Sequence, residues 1–133
     1  MQQYARREKI ILIASGKTDL ITDGTETFFC ENGNPMMAKI TGSGCMSSAM
    51  LGAFLGIEPS VESAEACCAF MGIAGEMAAE KTKELSGGTM TFRDQMIDAV
   101  SFINEDVLEE RGRVHERAHR QHDAESSGSL QIT

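Results

Sequence analysis

A chain of 133 residues is long enough for one domain with a real core and short for two. Its formal net charge of -8 excludes a broad nucleic-acid or acidic-membrane surface, because a phosphate backbone needs clustered Lys and Arg. The apolar content of 41% is ordinary for a globular protein, and no apolar run reaches the length of a membrane span.

The N-terminus carries Arg6, Arg7, Glu8 and Lys9 with no adequate apolar h-region behind them, so a cytoplasmic location is expected. Gln2 to Lys9 reads as the end of a charged helix. Ile10-Ile11-Leu12-Ile13-Ala14 follows without polar alternation, the pattern of a parallel-type strand covered on both faces. It closes at Ser15-Gly16, and a loop at the carboxyl end of such a strand is where α/β folds place ligands. Asp19 to Thr22, the turn signal Asp23-Gly24 and Thr25 to Cys30 predict a β-hairpin, since Asp-Gly supplies the positive φ that its turn requires. Asn32-Gly33-Asn34-Pro35 marks a further turn, and Met36 to Ile40 leads into Thr41-Gly42-Ser43-Gly44-Cys45.

Behind that pentapeptide, Met46, Ala49, Met50, Ala53, Phe54 and Ile57 recur at helical spacing. The first of three predicted helices therefore runs from about Gly44 to Gly56 and stops at Glu58-Pro59. The second has Ser60 as N-cap and extends to about Lys83. It is apolar nearly all round, which predicts deep burial or packing against a second subunit. Gly87-Gly88 ends it, and the third starts near Thr91 with Asp94 completing a capping box. Its stripe is Phe92, Met96, Val100, Ile103 and Val107. Beyond Leu108 the periodicity stops, so residues 109–133 read as a charged, disordered tail. One buried-type strand followed only by a hairpin and helices looks like the back half of a larger α/β domain.

The chemistry concentrates at the pentapeptide. Two glycines flanking a small hydroxyl residue let backbone N–H groups approach an anion, and the helix start adds unpaired amides and a positive dipole end. Cys45 falls in the first turn, where that field favours a thiolate. An anion cradle with a base beside it is the outline of a phosphoryl-transfer site. Cys30, Cys67 and Cys68 read as buried small hydrophobes, since no CxxC spacing points to a disulfide framework or zinc ribbon. His115-Glu116-Arg117-Ala118-His119 matches HExxH, with His122 nearby. Its polar surroundings favour a solvated tail over a zinc site. Ser15-Gly16-Lys17-Thr18 lacks the upstream glycine of a Walker A loop, because position 11 is Ile11.

Ser15-Gly16-Lys17-Thr18-Asp19, Thr22-Asp23-Gly24, Asn32-Gly33-Asn34-Pro35-Met36-Met37 and Thr41-Gly42-Ser43-Gly44-Cys45 together resemble the hydroxyethylthiazole kinase family, from about Lys9 to Val107. Gly42-Ser43-Gly44 differs from that family's usual Gly-Thr-Gly by one hydroxyl swap, and Cys45 stands where most ribokinase-like enzymes carry aspartate. The resemblance implies an α/β fold, namely the C-terminal half of a ribokinase-like domain over residues 1–108. It also implies magnesium-dependent transfer of the ATP γ-phosphate to the primary alcohol of 4-methyl-5-(2-hydroxyethyl)thiazole, in thiamine biosynthesis or salvage. Ser15 then matches an ATP-contacting position and Gly42 a substrate-binding one. Gly42, Ser43 and Gly44 match the anion hole, and Cys45 lies beside the attacking hydroxyl. The family is trimeric, with sites between subunits, so a homo-oligomer is expected, with no nucleic-acid or membrane partner. A non-catalytic anion-binding or oligomerisation remnant of the family is the alternative.

Overall fold

The computed structural model describes residues 1–116. α1 (Gln2–Glu8) is followed by strands β1 (Leu12–Ala14), β2 (Asp19–Thr22) and β3 (Thr27–Cys30). A 3-10 turn (Pro35–Lys39) leads to α2 (Ser43–Ile57), α3 (Val61–Glu84) and α4 (Thr89–Val100). α5 (Glu105–Arg111) and β4 (Val114–Glu116) complete the described chain. The architecture is α/β, with a four-stranded antiparallel sheet in the order β1-β2-β3-β4 beside the helices.

The hairpin forms where its turn chemistry requires. Thr22 pairs with Thr27 across the intervening residues, and Gly24 sits at φ 94°. The Asp23 carboxylate accepts the amides of Thr25 and Glu26, both at 2.8 Å, closing an Asx-type turn. A Cβ on Gly24 would lie 2.6 Å from the Arg6 backbone nitrogen, so the bare glycine also lets α1 dock. Arg6 Nη2 donates to the Gly24 carbonyl at 2.8 Å across that contact.

β1 differs from the parallel-type expectation: it pairs antiparallel with β2, Ile13 opposite Ile21. The physical reason is the short Ser15–Thr18 connection, since a parallel partner needs a crossover of a dozen or more residues. β1 is half-buried to exposed rather than sealed on both faces, and its other edge has no strand partner among the described residues.

α3 explains its own all-round apolarity. It packs against α2, α4, α5, β2, β3 and the 3-10 turn, so nearly every face meets another element of the same chain. Ser60 caps it through a 3.2 Å bond from the Ser63 amide. Phe70, Met71, Ala74 and Ala78 join Phe92, Met96 and Ala99 of α4 in one buried cluster. Val61, Ala64 and Ala69 face Ile21 and Cys30 of the sheet in a second.

Two expectations for the third helix are corrected. It begins at Thr89 behind Gly88 with no side-chain cap, so no Asp94 capping box forms; Asp94 instead lies 3.3 Å from Arg93 Nη2. It also breaks at Ser101, because Asn104 caps a separate α5 by accepting the Val107 amide at 3.0 Å. Ile103 and Val107, read as its continuing stripe, lie beyond that break. Helix continues past Leu108 to Arg111, and β4 then pairs with β3, Phe29 opposite His115. His115 and Glu116 therefore lie on a strand, not on the helix that an HExxH zinc pair needs. His119, His122 and the rest of the expected tail fall outside the described residues.

Candidate active site

The Gly42–Cys45 bend is a helix start, as the sequence predicts. Gly42 is the N-cap at φ 99°, a left-handed conformation that favours glycine, and its carbonyl accepts the Met46 amide at 2.9 Å. No side chain caps α2. The first-turn amides, those of Ser43, Gly44 and Cys45, have no carbonyl one turn earlier to pair with. A Cβ placed on Gly42 or Gly44 would meet nothing within 4 Å, so the space in front of this turn is open. Gly44 and Cys45 are exposed, and Cys45 is a free thiol. An uncapped helix N-terminus with bare glycines can hold an anion against backbone N–H groups, with the dipole adding to the attraction.

The Ser43 side chain points the other way. Its Oγ donates to the Met37 carbonyl at 2.9 Å, tying the first turn of α2 to the 3-10 turn before it. Met36 and Met37 pack with Met46 and Met50 against the buried α3–α4 cluster, which anchors both sides of the bend. Met50, Leu51, Phe54 and Leu55 face the core, with Phe54 edge-on to Phe70 at 5.7 Å. The Ala49, Ala53 and Ile57 side of α2, part of the apolar spacing that marks the helix, is exposed, and Ile57 is 90% accessible.

Ser15 lies on the exposed loop after β1, which is braced where the Asp19 carboxylate accepts the Gly16 amide at 3.0 Å. Burial pushes the Asp19 carboxyl above its usual range, partly opposed by that amide. No hydrogen bond joins Ser15 to the Gly42–Cys45 turn among the described residues. The other cysteines behave as small hydrophobes. Burial raises the thiols of Cys30 and Cys67 to about 11 and that of Cys68 to about 12.

One group of residues was not anticipated. Asn32, 6% exposed, donates through Nδ2 to the Arg111 carbonyl at 2.8 Å and to both Glu76 carboxylate oxygens at 3.3 and 3.4 Å. Its Oδ1 accepts the Arg113 amide at 2.7 Å. Glu76 also accepts the Gly33 amide at 3.1 Å and pairs with the Arg113 guanidinium. The available signal was Glu76 itself: a carboxylate within an apolar run of α3 needs partners. Beside this group an open cleft of about 740 Å³ is lined by Asn34, Met36, Glu76, Glu80, Arg111 and Arg113.

The family model described as the Hydroxyethylthiazole kinase family matches residues 1–106. This chain belongs to the hydroxyethylthiazole kinase family. A hydroxyethylthiazole kinase of Clostridium botulinum (strain Eklund 17B / Type B) is 40% identical over 114 residues, covering 85% of this chain and 40% of that protein. One of Desulfitobacterium hafniense is 39% identical over 116 residues, covering 85% of this chain and 42% of that protein. The solved hydroxyethylthiazole kinase of Pyrococcus horikoshii OT3 superimposes with a TM-score of 0.79 at 30% identity, covering 87% of this chain and 44% of that one. The chain thus spans under half the length of these relatives. The family match bears out the sequence-derived resemblance and its fold. No helix among the described residues is long and apolar enough to cross a membrane.

Proposed function

We propose that this chain carries the phosphoryl-transfer centre of a hydroxyethylthiazole kinase, moving the ATP γ-phosphate to the primary alcohol of 4-methyl-5-(2-hydroxyethyl)thiazole. The observation that carries the reading is the uncapped, open start of α2 with a free, exposed thiol in its first turn. The relatives' shared name supplies the substrate class.

In this reading the amides of the Gly42-Ser43-Gly44 stretch hold the transferred phosphoryl group, and Gly42 leaves room for the alcohol against the backbone. Phosphoryl transfer is largely positioning and charge neutralisation, so these donors contribute more than the base. The alcohol oxygen bonds to the γ-phosphorus, the bond to the bridging oxygen breaks, and ADP leaves. Cys45 orients the hydroxyl and helps to take up its proton; no covalent bond forms to sulfur. Ser15 serves the nucleotide. Magnesium would enter with the nucleotide, held by its phosphate oxygens, and would supply charge neutralisation there. We assign the working enzyme to the cytoplasm as a homo-oligomer, a trimer on the family pattern.

The test is ADP release on adding the thiazole alcohol and ATP–magnesium, before and after alkylating Cys45. Loss of turnover by about a hundredfold is the expected result, the size of a general-base contribution. Full turnover by the alkylated protein would remove Cys45 from the chemistry. Phosphate or ATP binding without any ADP release would leave the non-catalytic alternative as the correct one.

A further inference from the structure

We infer that Glu76 is a positioning residue for the Gly42–Cys45 cradle, acting through the loop that it clamps between β3 and the 3-10 turn. The inference rests on the anion-binding reading above and extends it to a side chain in the middle of α3, far along the chain from the cradle.

The connection can be followed bond by bond. The Glu76 carboxylate, its side chain 15% exposed, accepts the Gly33 amide at 3.1 Å. Asn34, the next residue, accepts the Met36 amide on its side chain and the Met37 amide on its carbonyl, each at 3.0 Å. The Met37 carbonyl in turn accepts the Ser43 hydroxyl at 2.9 Å, at the first residue of α2. Glu76, Gly33, Asn34, Met37 and Ser43 thus form one continuous set of links from α3 to the cradle.

α3 is shaped to receive this loop. A Cβ on Gly72 would lie 2.6 Å from the Asn32 backbone carbon and oxygen, and one on Gly75 would strike the Met37 side chain. Gly72, Gly75 and Glu76 therefore form a shallow platform, two bare positions for the loop to rest on and one carboxylate to hold it. On its other side Glu76 is fixed by Asn32 Nδ2 and by the Arg113 guanidinium. An acceptor held from two directions sets where Gly33 lies, and the short 3-10 turn passes that placement on to Ser43. Small misplacements of reacting groups cost rate and affinity steeply, which is why such a brace matters.

Cys45 gives a local readout that needs no turnover. The other three thiols are buried or half-buried and have raised pKa values, so iodoacetamide reports on Cys45 first. The experiment measures the inorganic phosphate concentration that halves Cys45 alkylation in the wild-type chain, Glu76→Asp, Glu76→Gln and, as control, Glu80→Gln. Glu76→Asp keeps the charge but withdraws the oxygens from Gly33; the half-protecting concentration is expected to rise roughly tenfold. Glu76→Gln keeps an oxygen acceptor and is expected to stay within about threefold of wild type. Glu80→Gln, one helical turn away and paired with Arg111, is expected to leave protection unchanged. Wild-type protection in Glu76→Asp, or equal losses in Glu76→Asp and Glu80→Gln, overturns the inference. Absence of phosphate protection in the wild-type chain instead overturns the anion-binding reading beneath it.

Discussion

Glycine-to-alanine substitution in two helices of this chain should change stability in opposite directions. Intrinsic helix propensity favours alanine over glycine by about 0.8–1 kcal/mol. At Gly52 of α2 a new Cβ meets nothing within 4 Å, so that gain is realised in full. At Gly72 of α3 the same methyl group lies 2.6 Å from the backbone carbon and oxygen of Asn32, where ordinary contact begins at 3.4 Å. Backbone must retreat, and it is the backbone of a residue whose bonds to Arg113 and Arg111 are 2.7 and 2.8 Å long. Overpacking costs about 1–3 kcal/mol and each buried polar group left unpaired about 1–3 more. With one such bond lost and the propensity gain subtracted, Gly72→Ala is expected to destabilise by about 1–5 kcal/mol while Gly52→Ala stabilises by about 1 kcal/mol. Gly75→Ala falls between them, because the obstacle is the flexible Met37 side chain rather than backbone. Urea unfolding of the three variants gives the ranking directly, and roughly 3–5 °C of Tm per kcal/mol gives an independent check. Equal stabilisation by Gly52→Ala and Gly72→Ala would show that the loop does not rest on α3 as described.

Asn32→Ala should lower stability by about 2–4 kcal/mol, measured by chemical denaturation, because it leaves Glu76 short of a donor and the Arg111 carbonyl and Arg113 amide unpaired. Asp19→Asn should raise stability at neutral pH. Burial lifts the folded-state carboxyl above its ordinary 3.8, so the stability this group contributes is complete below that value and is lost as pH rises through the folded value. The asparagine keeps the acceptor for the Gly16 amide, and a Tm difference from wild type that does not grow between pH 3 and pH 7 would refute the assignment. Thiol titration of the native chain should show one fast cysteine, Cys45, and three slow ones that react only on unfolding. Two or more fast thiols in native buffer would contradict the packing of α3.

Local signals in the chain were sufficient for what local chemistry controls. Ser60 caps the start of α3, Asp23-Gly24 turns the hairpin, and Gly42 starts α2, each because a cap or a positive φ acts within a few residues; the end of α3 at Glu84 is followed by a positive φ at Ser86, ahead of the Gly87-Gly88 signal. The family was legible for the same reason: its motifs are short stretches in a fixed order. Tertiary structure alone decided the rest. Whether the apolar α3 lay inside its own chain depended on six elements converging on it, which periodicity does not encode. The β3–β4 pairing does not follow from strand composition, since β-branched residues suit either direction, whereas the antiparallel pairing of β1 with β2 follows from the four-residue connection between them. The clamp on the cradle loop joins Asn32, Glu76 and Arg113, which only the fold brings within hydrogen-bonding distance. A carboxylate in an apolar helix announces that it needs partners; which partners it has is a question of distance in space, and sequence separation carries no such distance.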